Sequence, residues 1–357
     1  MKTVKRIFGI IVLTFCVSCG TYYKMVTTIA RDGSAQREVY AWGDSAFLAG
    51  DLSRNPFMFD LTQDWHISPL DSAMANDFFG TPKSLNIRIS KHTNSIENFS
   101  KELQYNVEKQ SLVAPEESLV IKKGWFYTNY SLKVVYKKFQ YEVPISIDDY
   151  LSREEQIVWT QGNFSQCKLY NGSEMSDYLD NINEKFMKWY VHNCFEVSFQ
   201  LIKKYSDKQD LNADKENIFK ELKDNMKSED EFGINPEAVC NFLDYFYRTT
   251  YFSKLNKIHS EELNKEYNNV FAPAELIGNV ISYEIILPGE LVEVSFSSYQ
   301  SGTIFWKIDG MRLLFDDLTF TAQSRIKNRW ALMVTGLLLI VVIGSTVLIV
   351  KNRKKKI

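Results

Sequence analysis

The sequence predicts an α+β fold: an antiparallel, β-rich exported domain with a helical insertion and one C-terminal transmembrane helix. Three patterns lead to this prediction. Apolar residues alternate with a period of two before residue 175 and again after residue 269, which is typical of half-buried strands. Between residues 176 and 268 their spacing changes to that of a helix. A run of 20 residues without a charged side chain, 331–350, follows near the C-terminus.

The first 18 residues have the parts of an export signal. Basic residues precede an apolar run, 7–17, that is too short to cross a bilayer. The small Ser18 before Cys19 then resembles the lipobox of Bacteroidota-type bacterial lipoproteins. The resemblance implies that Cys19 is acylated (palmitate or a similar chain), although Cys16 stands where that pattern usually has leucine. The alternative is an ordinary signal peptide with an incidental cysteine.

Residues 19–175 are predicted to be mostly β structure. Asp32-Gly33 lies between two alternating segments and predicts a hairpin, because Asp-Gly supplies the positive φ that a tight turn needs. Leu85–His92 alternates as a half-buried strand does. Further expected elements are strands at 119–123, 125–139 and 156–161 and short helices at 70–79 and 96–107.

Residues 176–268 are predicted to form a helical subdomain. Apolar side chains recur at helical spacing from Ser176, a residue type that caps helix N-termini. A second helix is expected at 214–226. A third begins at Asn235-Pro236, where a cap precedes proline, and extends towards Lys254. A weaker fourth pattern covers 260–268.

The period of two returns in 269–324, which predicts a four-stranded antiparallel meander that completes the β domain. Pro288-Gly289 and Asp309-Gly310 suit tight turns. Such short turns make neighbouring strands antiparallel. The last strand runs almost directly into the apolar segment that follows.

The segment 330–350 is predicted to cross a membrane. At about 1.5 Å per residue, its apolar run forms a helix roughly 30 Å long, the thickness of a bilayer's hydrocarbon core. The alternative, a buried core helix, would carry polar residues along one face. The residues assigned to this anchor are Trp330, Gly336, Leu338, Gly344, Lys351, Arg353 and Lys354.

An export signal followed by one span predicts that residues 20–329 lie outside the cytoplasm and the basic tail 351–357 inside it. A helical span indicates the inner membrane, because outer-membrane spans are barrels. Eight of the 42 basic residues lie at the two ends, so the exported part has 34 against 44 acidic residues, a net charge of −10. This charge argues against a nucleic-acid partner and against broad adhesion to anionic lipid.

The sequence has no short catalytic or metal-binding motif. P-loop, G-x-S-x-G and H-E-x-x-H patterns are absent, so no catalytic residue, metal or cofactor is predicted. Cys194 and Cys240 fall on apolar faces of predicted helices. They are interpreted as buried thiols, with a disulfide between them as the alternative in an exported domain.

Aromatic residues surround the third predicted helix more completely than one core-facing side requires. The helix is either packed between neighbours or presents a patch to a protein or lipid partner. The patch would consist of Phe242, Tyr245, Phe246, Tyr247 and Tyr251.

Two features near the C-terminus carry a second resemblance. Leu287-Pro288-Gly289 and the strand at 302–306, which leads to a C-terminal span, are similar to membrane-anchored bacterial lipoproteins of the mycobacterial LppM type. The similarity covers the C-terminal β region and the signal, and excludes the helical block. It implies an exported, tethered, β-rich protein and supplies no catalytic residues.

Two functions are compatible with these patterns. The first is a non-enzymatic envelope lipoprotein that binds or scaffolds a protein or lipid partner at the inner membrane. The second is an envelope hydrolase or transferase whose site is assembled from distant residues. A lipid carrier, a third alternative, would need an apolar cavity between sheet and helices. The groups available to an enzyme site are His66, His92, Asp148, Ser165, Lys168 and Asp316.

Overall fold

The structure is a computed structural model, and it describes residues 22–354 except for several short segments. The excepted residues are 58, 78–79, 103–114, 141, 165–171, 208–210, 212–213, 226–233, 276–278, 296–297 and 301. The described chain divides into two compact units, which we call the helical unit (138–279 and 310–316) and the β unit (21–137, 280–309 and 317–357). Helices and antiparallel-rich sheets are both present, so the predicted α+β class is confirmed.

The β unit has eleven strands in the part that the structure describes, together with two short helices and one long one. The strands are β1 (Tyr22–Ile29), β2 (Ala35–Ala41), β3 (His66–Asn76), β4 (Pro82–Thr93), β5 (Glu116–Lys123), β6 (Tyr127–Tyr136), β7 (Val280–Ile286), β8 (Glu290–Val294), β9 (Ser298–Gln300), β10 (Thr303–Asp309) and β11 (Leu318–Lys327). The short helices are α1 (Ser45–Leu48) and α2 (Glu97–Glu102).

These strands form two sheets. The first has seven strands in the order β3-β4-β2-β1-β7-β10-β9, and the second has four in the order β5-β6-β11-β8. The predicted hairpin at Asp32-Gly33 is confirmed: β1 and β2 pair antiparallel, and Gly33 has a φ of 96°. β1 also pairs in parallel with β7, from Tyr22 opposite Val280 onward, so the first sheet is mixed.

The predicted meander at 269–324 is wrong. β7 pairs with β10 in the first sheet, whereas β8 pairs with β11 in the second. The turn at Leu287-Pro288-Gly289 therefore carries the chain from one sheet to the other. Asp309-Gly310 makes no hairpin either, because Gly310–Leu313 is a short 3₁₀ helix and β11 begins at Leu318.

Two shorter elements also differ from the predictions. The helix expected at 70–79 is replaced by the strand β3, which pairs along β4. The strand expected at 156–161 is the helix α3 (Arg153–Gln161). Ser152 caps it, because the Ser152 hydroxyl accepts from the Glu155 backbone N–H at 3.3 Å and the Glu155 carboxylate accepts from the Ser152 N–H at 2.8 Å. Of the helix expected at 96–107, α2 covers 97–102, Ile96 lies in a turn just before it, and 103–107 lie outside the described residues.

In its described residues, the helical unit contains α3 and four longer helices: α4 (Gly172–Tyr205), α5 (Lys215–Asn225), α6 (Pro236–Tyr247) and α7 (Tyr251–Glu275). The predicted start of α6 is confirmed, since the Asn235 side chain accepts from the Ala238 N–H at 2.9 Å. The helix ends earlier than expected because Arg248 adopts a left-handed conformation with φ 51°. The weak fourth pattern belongs to α7, which is kinked at His259.

Candidate membrane-anchoring site

The last helix, α8 (Arg329–Lys354), is long and apolar enough to cross a membrane. Its segment Arg329–Leu348 has a mean hydropathy of 2.5, and 6% of the segment is buried. A core helix of this composition would be covered by the rest of the chain. The residues assigned to the anchor lie along α8, from Trp330 through Gly336, Leu338 and Gly344 to Lys351, Arg353 and Lys354 in its last turn.

A single residue, Asn328, separates β11 from α8. Its side-chain amide donates to the backbone carbonyls of Gly124 at 2.8 Å and Trp125 at 3.2 Å. Its own N–H donates to the Phe126 carbonyl at 2.8 Å, and the Thr128 hydroxyl donates to its side-chain oxygen at 3.1 Å. The tip of the β5–β6 hairpin is therefore bonded to the point where the sheet becomes the helix.

Aromatic side chains extend this contact along α8. The Trp125 indole N–H donates to the Thr335 hydroxyl at 2.9 Å, and the Trp125 ring meets the Trp330 ring edge-on with centroids 5.1 Å apart. Thr335 lies five residues beyond Trp330, about 7.5 Å along a helix axis. We call Trp125, Phe126 and Trp330 the aromatic collar; they are 49%, 42% and 53% exposed. Tryptophan at this position is typical of a membrane–water interface.

A charged cluster connects the two sheets in the core of the β unit. Arg37 on β2 is fully buried, and its Nη2 donates to both oxygens of Glu117 on β5, at 2.6 and 2.7 Å. The Arg37 Nε–H donates to Thr27, and its guanidinium lies 4.3 Å from the Phe99 ring centroid. The Tyr283 hydroxyl on β7 donates to Glu117 and accepts from Arg37.

The electrostatics of this cluster agree with a structural role. Burial alone would lower the pKa of the Arg37 guanidinium, but the adjacent Glu117 carboxylate raises that pKa above its ordinary value. Burial and the Glu117 charge raise the pKa of Tyr283. Perturbed groups of this kind can mark reaction sites. The side chains of Arg37 and Glu117 are 0% exposed, however, so a substrate in solution has no access to them.

The groups that could have formed an enzyme site, as far as the structure describes them, are divided between the two units. His66 and His92 occupy exposed positions on β3 and β4 of the β unit. In the helical unit Asp148 accepts from the Gln156 amide at 2.7 Å, and Asp316 forms an ion pair with Arg153. Within the described ranges, no three His, Cys, Asp or Glu side chains are grouped so that they could hold a metal ion. Ser165 and Lys168 lie outside the described residues.

Most of the predicted aromatic patch packs against the core of the helical unit. Phe242, Phe246, Tyr247 and Tyr251 are half-buried and pack against that core, whereas Tyr245 is 70% exposed. The packing interpretation therefore holds for four of these five residues, and Tyr245 alone among them is free to meet a partner.

The cysteines that the structure describes are thiols. Cys194 and Cys240 are both free and buried, which favours the buried-thiol interpretation over the disulfide. Burial raises the pKa of Cys194 to about 11 and that of Cys240 to about 12, so both thiols are poor nucleophiles at neutral pH. Cys19 lies outside the described residues.

His192 on α4 lies in a partly apolar setting. Its Nδ1 is 2.8 Å from the Tyr150 hydroxyl, and its ring stacks on Phe219 with centroids 4.5 Å apart. Burial lowers the pKa of His192, and the positive charges of Lys215 and Lys223 act in the same direction, against Glu196 and Asp149. The folded protein therefore favours the neutral imidazole.

We expect the helical unit to lose stability as the pH falls below the pKa of an unfolded histidine, about 6.5. The unfolded chain binds a proton there more readily than the folded chain, so acid favours unfolding. Thermal unfolding of the full chain in detergent, followed by circular dichroism, should show a lower midpoint at acid pH. His192→Gln should flatten that dependence, and His66→Gln, at an exposed position, should leave it unchanged. An equal pH dependence in wild type and His192→Gln would contradict the assignment.

Comparisons with known proteins add little to these observations. No known protein family matches the chain, and no curated protein matches it. Among solved structures, the NMR structure of the folded domain of Mycobacterium tuberculosis LppM is similar. The alignment covers 86% of this chain and 91% of the LppM chain. The sequence identity is 7% and the TM-score is 0.27. LppM gives its name to the type that the sequence resembles, but at this TM-score the likeness carries no argument about fold or function.

Proposed function

We propose that this chain is a membrane-anchored envelope lipoprotein whose exported part binds or scaffolds a protein or lipid partner at the inner membrane without catalysing a reaction. The observation that carries the proposal is the junction between the second sheet and α8. There an exposed apolar helix follows the sheet after one residue and is bonded to the β5–β6 hairpin.

The exposure of α8 supports a membrane anchor. Leu338 and Ile340 are 55% and 72% exposed, and the large apolar residues around them are similarly uncovered. Transferring one such side chain out of water stabilises it by about 1.5–3 kcal/mol. An uninterrupted apolar surface of this kind is typical of a membrane-facing segment, and a bilayer is the environment that covers all sides of the helix.

Two anchors would attach the chain to the membrane. One acyl chain holds a protein to a membrane weakly, and a second attachment makes the association stable. Acylated Cys19 would supply the first attachment and α8 the second. The export signal and the basic tail 351–357 support an outside position for the domain and a cytoplasmic C-terminus.

Two features of the described residues support a role without catalysis. The buried cluster of Arg37, Glu117 and Tyr283 is closed to solvent. Asp148 and Asp316, the described acidic candidates, already have side-chain partners. The exposed Tyr245 is the residue of the predicted patch that we propose for contact with a partner.

The proposal is tested by membrane extraction of the full chain. Wild type should remain in the membrane after alkaline carbonate washing and should incorporate a fatty-acid label. Cys19→Ala should lose the label and remain in the membrane through α8. Combining it with Leu338→Arg and Ile340→Arg should release the chain, since two charges at the centre of a span cost about 5–7 kcal/mol.

The matched control replaces Leu338 and Ile340 by phenylalanine, which keeps the span apolar and should keep the chain in the membrane. Crosslinking in the native membrane, followed by mass spectrometry, should then recover a reproducible partner. An unlabelled wild type in the aqueous fraction would refute the anchoring. A membrane-embedded chain without any reproducible partner would refute the binding role.

A further inference from the structure

Positive charge is concentrated at the end of the second sheet that adjoins α8. Lys122 and Lys123 end β5, and Lys327 and Arg329 flank Asn328. All four are exposed, and none makes an ion pair within the described ranges. The sequence has no acid from 118 to 141 and none after Asp317. Two described acids lie near this end. Glu290 is opposite Arg325, and the two side chains pair with each other at 3.7 Å. Asp32 lies in the β1–β2 turn, close enough for its charge to act on Tyr130, one row before Lys122.

The strand register places these cations on both faces of the sheet. Lys122 lies in one cross-strand row with Asn129 and Arg325, and Lys123 lies in the next row with Thr128. Successive rows point to opposite faces. Lys327, opposite Tyr127, is two positions beyond Arg325 and shares its face with Lys122. The positive charge therefore surrounds the sheet end instead of lying on one side of it.

The aromatic collar sets the level of these cations relative to a bilayer. Trp125 and Trp330 are residues of the kind that lies at the boundary between headgroups and hydrocarbon, and Trp125 reaches Thr335 within the apolar run. Lys123 and Arg329 are each within two residues of a collar tryptophan. That spacing places the cations at the depth of lipid phosphates, where a lysine or arginine attracts anionic lipid.

We infer that this end of the β unit binds the headgroups of anionic phospholipids in the leaflet that faces the exported domain. The inference rests on the proposed membrane span. The net charge of −10 on the exported part does not oppose it, because charges further than about 8–10 Å away are largely screened at physiological salt. Lipid is the occupant because the proposed span would bring this surface against a bilayer, where phosphates are the anions that Lys122, Lys123, Lys327 and Arg329 can meet.

The test uses the full chain in nanodiscs made from equal amounts of phosphatidylcholine and phosphatidylglycerol. After re-extraction in mild detergent, the lipids retained by the protein are quantified by mass spectrometry. Wild type should retain phosphatidylglycerol in preference to phosphatidylcholine. Replacing Lys122, Lys327 and Arg329 by glutamine should lower that preference about fivefold per charge, and so about a hundredfold in total.

The matched control removes the same charge elsewhere, by Lys133→Gln, Lys220→Gln and Lys257→Gln at exposed positions. The control should retain phosphatidylglycerol as wild type does. Both triple variants should have the melting temperature of wild type. Equal retention of the two lipids by wild type, or an equal loss in the two triple variants, would overturn the inference. Failure of wild type to enter the nanodisc would instead overturn the proposed function, so the two failures are distinguishable.

Discussion

Replacing Glu117 by leucine is expected to lower the free energy of unfolding by about 3–5 kcal/mol, because it leaves the Arg37 charge buried without its partner. Arg37→Met should lower the free energy of unfolding by a similar amount, because it leaves the Glu117 charge buried without its partner. The double variant should recover most of the loss, since an apolar pair of similar volume has no charge to desolvate. Urea unfolding of the full chain in detergent, followed by tryptophan fluorescence, measures all three.

The neighbouring residue provides the control. Glu116 forms an ion pair with Lys137 at 3.3 Å, with both side chains at least half exposed. Glu116→Gln should cost about 1 kcal/mol or less, because water already screens that pair. If the Arg37/Glu117 double variant proved as unstable as the sum of its single variants, the two residues would not be coupled, and the ionic link between the sheets would be refuted.

Gly289→Ala is expected to have the next largest effect. Gly289 has a φ of 91°, and a Cβ built there would lie 2.3 Å from the Arg325 carbonyl oxygen. The substitution therefore combines a disfavoured backbone conformation with a clash against the backbone of β11. Together these should cost about 2–4 kcal/mol. Thermal unfolding of the full chain should show the loss, and amide exchange should report it first along β8 and β11.

Gly302→Ala separates the two contributions. Gly302 has nearly the same φ, 89°, but no atom within the described part of the chain lies within 4 Å of the position its Cβ would take. Its substitution should cost about 1–2 kcal/mol from the backbone alone. Equal losses at the two glycines would show that the close approach of Gly289 to Arg325 contributes nothing.

Local chemistry in the sequence was enough to predict several elements. Asp32-Gly33 determined the first hairpin, and Asn235-Pro236 determined the start of α6, because each effect acts over a few residues. The prediction of a strand at 156–161 is wrong, although the sequence contains a signal for the helix that forms there. Ser152 followed three residues later by Glu155 is a capping box, and it starts a helix there.

Pairing between distant strands was not predictable in the same way. β1 and β7 pair in parallel although Tyr22 and Val280 are far apart in the chain, and no local pattern encodes that choice. The predicted meander is wrong for the same reason. Leu287-Pro288-Gly289 specifies a turn, but the strand that pairs with β8 after this turn is determined by packing in the two sheets.

The anchoring site was predicted in part. The apolar run predicts α8, but the alternating pattern at 125–139 predicts a strand that includes Trp125 and gives no indication of its contact with α8. Gly124-Trp125-Phe126, an aromatic pair next to glycine and after two lysines, was the available signal for an exposed turn. The buried Arg37 also had a signal, since it shares its face of β2 with Ala35, Val39 and Ala41, all apolar.

The one-residue passage from β11 to α8 has a mechanical consequence. A flexible tether would let the helix tilt or rotate while the domain stayed still. Here Asn328 donates hydrogen bonds to the Gly124, Trp125 and Phe126 carbonyls. The strand β11 and the helix α8 are therefore expected to move together. In the proposed membrane span, a change in bilayer thickness that tilts α8 would exert a torque on the four-stranded sheet.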